Sequence, residues 1–189
     1  YGGDVKFPLI TYLSMTSRVL EVRDGEMLPH VLLHGSSSSG KSFIVNTVKK
    51  MLPVEAYHVI DASSVKAFIY DPAPLEHKVF IFSEADSLPS RENDASASAM
   101  RNLLADNNLH YTLTSADRRN GGMATREIVK PGPTVLVTTW TKLPGPEMST
   151  RLLILEMHDD PAQIAASLRA QANLELGAHA PVAPPELVA

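Results

Sequence analysis

The chain has 189 residues, enough for one domain of ordinary size with a full core, and its 44% hydrophobic content suits a soluble globular fold. No apolar run approaches the roughly 18 residues of a membrane span; the start, Tyr1-Gly2-Gly3-Asp4, has neither a secretory pattern nor an initiator Met, so a cytoplasmic piece of a longer protein is expected. The absence of cysteine excludes disulfides and thiolate zinc sites, seven histidines form no ligand-like pair, and a net charge of −4 excludes nucleic-acid binding by overall attraction, leaving only a local basic element as a route.

In chain order, Pro8 is suited to open a helix, and Leu9, Tyr12, Leu13, Val19 and Leu20 follow at roughly helical spacing until Asp24-Gly25-Glu26 breaks it. Val31-Leu32-Leu33 reads as a buried strand ending at a glycine. After Lys41, the residues Ile44, Val45, Val48, Met51 and Leu52 mark one helix face, stopped by Pro53. Tyr57–Ile60 is a strand candidate, Ser63 or Ser64 caps a short helix with Val65, Phe68 and Ile69, and Val79–Phe82 is the most apolar short run. A polar loop over 87–94 leads to a helix with Ala99, Met100, Leu103 and Leu104 inward. The pattern then becomes that of a hairpin at 109–130, with arms at 109–115 and 123–130 around the turn at 117–122, closed by Pro131-Gly132-Pro133. Thr134–Thr139 and Leu152–Leu155 are further strands, Asp160 caps a last helix with Ile164, Leu168, Ala172 and Leu176, and 177–189 is an Ala/Pro-rich tail or linker.

Buried strands alternating with helices predict an α/β fold: a mainly parallel five-stranded sheet with helices on both faces, in three αβα layers, carrying an inserted β-hairpin. On such sheets ligands bind at the carboxyl ends of the strands, where the segments 35–42, 83–86 and 138–140 all fall.

Gly35-Ser36-Ser37-Ser38-Ser39-Gly40-Lys41-Ser42 has the spacing Gly-x4-Gly-Lys-Ser between a strand and a helix. The glycines let the backbone curl its N–H groups onto phosphate oxygens, and the helix adds its positive end. Lys41 would reach the β- and γ-phosphates of ATP and Ser42 would ligate magnesium. The accidental match, a serine-rich loop, should arise in on the order of one chain per hundred or fewer. The whole segment is therefore read as a P-loop, Walker A, binding ATP and Mg2+.

At the end of the next apolar strand, Ser83-Glu84-Ala85-Asp86 stands where an Asp-Glu pair is usual. Glu84 is the expected water-orienting base and Asp86 the carboxylate near magnesium, against an exposed acidic turn as the plain alternative. Thr138 or Thr139 would reach the attacking water or γ-phosphate from a strand lying between the other two; threonine is also simply a good strand former. Trp140 reads as a packing residue. Arg151, just before the last strand, either pairs with a surface carboxylate or reaches a neighbouring subunit's γ-phosphate.

With these elements in this order, residues 5–170 resemble an AAA+ ATPase. The hairpin placed before the threonine strand resembles the pre-sensor-1 hairpin of the clade containing minichromosome-maintenance helicases and, in related form, superfamily 3 helicases of viruses and plasmids. The pattern is also similar to helicase-like domains attached to primase modules in mobile elements and phages. The resemblance implies a ring, hexameric in this clade, with ATP between neighbours, Arg151 as arginine finger, Thr138 or Thr139 as sensor, and a hairpin gripping DNA. Arg118 and Arg119 at its tip, with Arg126 and Lys130 on the returning arm, would supply phosphate contacts that position without reading sequence. Two departures stand out. Ser83 replaces the usual Asp, and no second sensor arginine is evident, Arg169 falling too early, so the lid after residue 176 is expected to be missing. The expected function is the ATP-hydrolysing motor domain of a replication helicase acting on single- or double-stranded DNA; a non-motor AAA+ remodeller or loader, or a nucleotide-binding module with weak hydrolysis, are the alternatives.

Overall fold

The computed structural model describes residues 4–23, 25–60, 65–83, 95–116, 123–158 and 161–175. Five strands form one sheet: β1 (Val31–Gly35), β2 (Tyr57–Ile60), β3 (Lys78–Phe82), β6 (Thr134–Trp140) and β7 (Leu153–Met157). Their spatial order is β2-β3-β6-β1-β7, and every neighbouring pair is parallel. The sheet therefore meets the expectation of a mainly parallel five-stranded α/β core, with β6 seated between β1 and β3.

Strand alternation divides the core in two. Val31, Leu33, Val79, Ile81, Val135 and Val137 pack with Ile44, Val45 and Val48 of α2 (Lys41–Lys49) and Met15 of α1 (Lys6–Thr16). Leu32, Phe80, Phe82 and Leu136 face the other way, onto Phe68 and Ile69 of α3 (Val65–Tyr70) and Met100, Leu103 and Leu104 of α4 (Ala95–Asp106). Strands this apolar on both sides require helices on both sides, and they have them.

The hairpin is a separate two-stranded antiparallel sheet, β4 (Asn108–Ala116) with β5 (Met123–Pro131). Its register sets Leu109 opposite Lys130, Tyr111 opposite Ile128 and Leu113 opposite Arg126. A lone hairpin is marginal in water. This one is stabilised near its base, where Leu109 and Tyr111 are buried, Ile128 packs beside them, and Tyr111 meets Tyr70 edge-on at 6.1 Å.

Three local expectations are corrected. In α1, Leu9 and Leu13 are exposed, as are Val19 and Leu20 beyond it, while Thr11, Ser14 and Met15 are buried. A helix apolar on most sides carries no phase information, and the buried hydroxyls are satisfied by main-chain oxygens: Thr11 Oγ1 donates to Phe7 O at 2.8 Å, and Ser14 Oγ to Pro29 O. Helix α2 stops at Lys49, which leaves Met51 outside it and exposed. A short helix, α5 (Pro146–Ser149), is absent from the sequence reading; it precedes β7, and α6 (Pro161–Glu175) follows.

Candidate nucleotide site

The Gly-x4-Gly-Lys-Ser segment joins β1 to α2. Its backbone turns back on itself through two left-handed residues, Ser38 at φ 68° and Gly40 at φ 87°. Gly40 fills a place where a side chain would be strained. Gly35 is required for a different reason: a Cβ there would lie 2.6 Å from Met157 O on β7. The loop thus lies tight against the sheet edge, with Ser36, Ser37 and Ser38 exposed above it.

Lys41 is 8% exposed, and its ammonium folds back over the loop: Nζ donates to Gly35 O at 2.9 Å, to Ser36 O, and to Ser39 Oγ at 3.3 Å. A buried ammonium needs such acceptors. Ser42 is exposed on the first turn of α2, next in sequence to Lys41.

Beyond the loop, the chain leaves β1 for α2 on one face of the sheet and leaves β6 for α5 on the other. The two diverging connections open a crevice at the strand ends, the usual ligand position in open α/β sheets. A cleft of about 300 Å³ lies there, lined by Gly35, Ser36, Thr141, Glu156, Met157 and His158 among others.

The two threonines are separated by alternation. Thr139 Oγ1 donates to Ser83 O at 2.8 Å, and Ser83 N–H donates to Ile60 O at 3.2 Å. The residue before Glu84 is thereby pinned from β6 on one side and β2 on the other. Thr138 faces the α3/α4 layer, fully buried, and its hydroxyl has no hydrogen-bond partner among the described residues. Glu84 and Asp86 lie outside the described residues, as do Arg118 and Arg119.

Arg151 sits two residues before β7, whose first residue pairs with Val31 at the start of β1. It is therefore a strand length, about 13 Å at about 3.3 Å per residue, from the Gly-Lys-Ser loop of its own chain. Its Nη1 donates to Glu147 O. Glu147 in turn pairs with Arg101 of α4, Nε to Oε2 at 3.1 Å.

On the hairpin, Arg126 is exposed. Lys130 is placed differently from a projecting phosphate contact. Its ammonium donates to Phe68 O at 3.2 Å and to Asp71 O, 5.7 Å above the Phe68 ring. A cation on the last carbonyls of a helix is favourably placed, so Lys130 ties β5 to the end of α3. Burial lowers its pKa from the usual lysine value, opposed by the nearby Asp71 carboxylate.

The sequence reading missed Arg101, Glu147 and His30. Their partners stand far off in the chain (Leu104 and Leu136 for His30), and no local pattern announces such pairs. The sequence matches no protein-family model and no curated protein.

Proposed function

We propose that this chain is a P-loop ATPase module of AAA+ type, the motor domain of a DNA-replication helicase from a phage, plasmid or mobile element. The observation that carries the reading is the insertion of β6 between β1 and β3, which sets the threonine pair between the Gly-Lys-Ser loop and the strand leading to Glu84. In this reading the loop amides and Lys41 hold the triphosphate. Ser42 and Asp86 would hold magnesium bound with the nucleotide, which would supply positive charge to the phosphates. Glu84 orients the attacking water, and Thr139 fixes the segment that presents Glu84. Arg151 serves a neighbour's nucleotide in a ring, and the hairpin bears on single- or double-stranded DNA through Arg118, Arg119 and Arg126, with Lys130 as its anchor.

One observation favours the second reading, a non-motor remodeller or loader using the hairpin on protein. Among the described hairpin residues, Lys130 is committed to α3, and Glu127, which follows Arg126, pairs with His110. The deciding measurement is ATPase rate against protein concentration, with and without single-stranded DNA. Turnover that rises with both supports the motor; turnover indifferent to DNA but raised by a protein partner supports the remodeller. No retention of ATP with magnesium at millimolar concentration, about −4 kcal/mol of binding, overturns both.

A further inference from the structure

The cleft beside the Gly-Lys-Ser loop has walls that the reading above leaves unused. It holds about 300 Å³, and besides Gly35 and Ser36 of the loop it is lined by His34 at the end of β1, Thr141 just past β6, and Glu156 and His158 at the end of β7. These last four side chains all carry hydrogen-bonding groups, and none of them has a hydrogen bond or ion pair among the described residues. A concave site with a few convergent polar groups is where a small molecule is oriented.

Among the four, Glu156 is the one acid, and register fixes its place. It pairs with His34, and its neighbour Met157 pairs with Gly35, so Glu156 sits one strand away from the loop's start and one residue before it. Neighbouring strands lie about 4.8 Å apart. An ionised carboxylate repels phosphate and only accepts hydrogen bonds. Of the parts of a nucleotide, it can therefore meet the donors alone, which are the sugar hydroxyls and the N–H groups of the base. The sugar directly follows the phosphates, and the base lies beyond it. One strand spacing from the phosphate loop, the sugar is the part within reach.

We infer that Glu156 reads the sugar of the bound nucleotide, its carboxylate accepting a hydrogen bond from the ribose 2′-hydroxyl, so that the site selects ribonucleotides over 2′-deoxyribonucleotides. The inference rests on the ATPase reading and adds to it a specificity for the sugar. It differs from the plain alternative, an exposed acid at the end of an edge strand, in what its removal does. A merely solvated carboxylate is indifferent to whether the ligand carries a 2′-hydroxyl; a sugar-reading one is not.

The test is calorimetric titration of the whole chain with ADP and with 2′-deoxy-ADP, each with magnesium, so that binding is read without turnover. Wild type should bind ADP about tenfold more tightly than 2′-deoxy-ADP, the scale of one hydrogen bond to a charged acceptor in a site open to water. In Glu156→Ala that preference should collapse to about one, because the residue and the hydroxyl form a single interaction and removing either removes it. Glu156→Gln keeps an acceptor oxygen without the charge; its preference should fall to about threefold, and it carries the test should Glu156→Ala fail to fold. Equal binding of the two nucleotides by wild type, or a tenfold preference that survives in either variant, overturns the inference and leaves the ATPase reading intact. Failure of wild type to bind ATP or either diphosphate at millimolar concentration overturns the ATPase reading and, with it, this inference.

Discussion

His30 offers a quantitative check on the fold that positions the Gly-Lys-Ser loop. It precedes β1 directly, is fully buried, and bridges two other elements: Nε2 donates to Leu104 O of α4 at 3.0 Å, and Nδ1 accepts the Leu136 N–H of β6 at 3.1 Å. Both roles together define the neutral imidazole, since a proton on Nδ1 would oppose an N–H to an N–H. Burial accordingly lowers the pKa to about 4 from 6.5, only partly offset by the bond to Leu104. Above pH 6.5 the folded and unfolded chains are both neutral at His30, and the full stability is present. As pH falls below 6.5, the unfolded chain takes up a proton that the native chain refuses. Stability is lost at about 1.4 kcal/mol per pH unit, reaching about 2 kcal/mol at pH 5 and about 3 kcal/mol near pH 4. For a domain stabilised by about 5–15 kcal/mol that is a large fraction. The assay is urea unfolding followed by circular dichroism at pH 7.5, 6 and 5, for wild type and for His30→Gln. Gln keeps a donor and an acceptor but does not titrate, so its loss between pH 7.5 and 5 should be smaller by about 2 kcal/mol. Carboxylate contributions are common to both proteins and cancel in the difference. Parallel losses in the two proteins would refute the assignment of His30 as a neutral bridge.

Two further predictions follow from contacts at the site and at the hairpin base. Thr138→Val should raise stability by about 1 kcal/mol by removing a buried hydroxyl that lacks a partner, whereas Thr139→Val should cost about 1 kcal/mol and depress ATP turnover by releasing Ser83; thermal melts and ATPase rates of the two variants separate them, and identical behaviour would contradict the division of roles. Lys130→Met should lower stability by about 1 kcal/mol through loss of the α3 carbonyl contacts while leaving the salt dependence of DNA binding unchanged, in contrast to Arg118→Ala with Arg119→Ala; a flattened salt slope in Lys130→Met would place its ammonium on DNA after all.

The parts of this protein legible without a structure are those governed by neighbours in sequence. The strands at 31–33, 79–82 and 134–139 announce themselves as β-branched and apolar runs, because a strand buried on both faces has no polar side to display. The hairpin at 109–130 is legible from its alternation and turn residues, and lies within one residue of the observed arms. The Gly-x4-Gly-Lys-Ser spacing is likewise local, since backbone curl and helix start depend on residues a few positions apart. The phase of α1 was not legible, because a helix apolar on most sides fits a core in several rotations and only the packed sheet selects one.

Amino-acid order by itself determined where strands, turns and the Gly-x4-Gly-Lys-Ser loop occur, since each is a property of one short segment. Only the tertiary structure decided that Thr139 rather than Thr138 holds Ser83, that Lys130 caps α3, and that Arg101 and Arg151 meet at Glu147. Those pairings depend on which side chains the packed layers bring within about 3 Å of each other, and a strand turned by one residue would exchange every one of its partners for those on the opposite face.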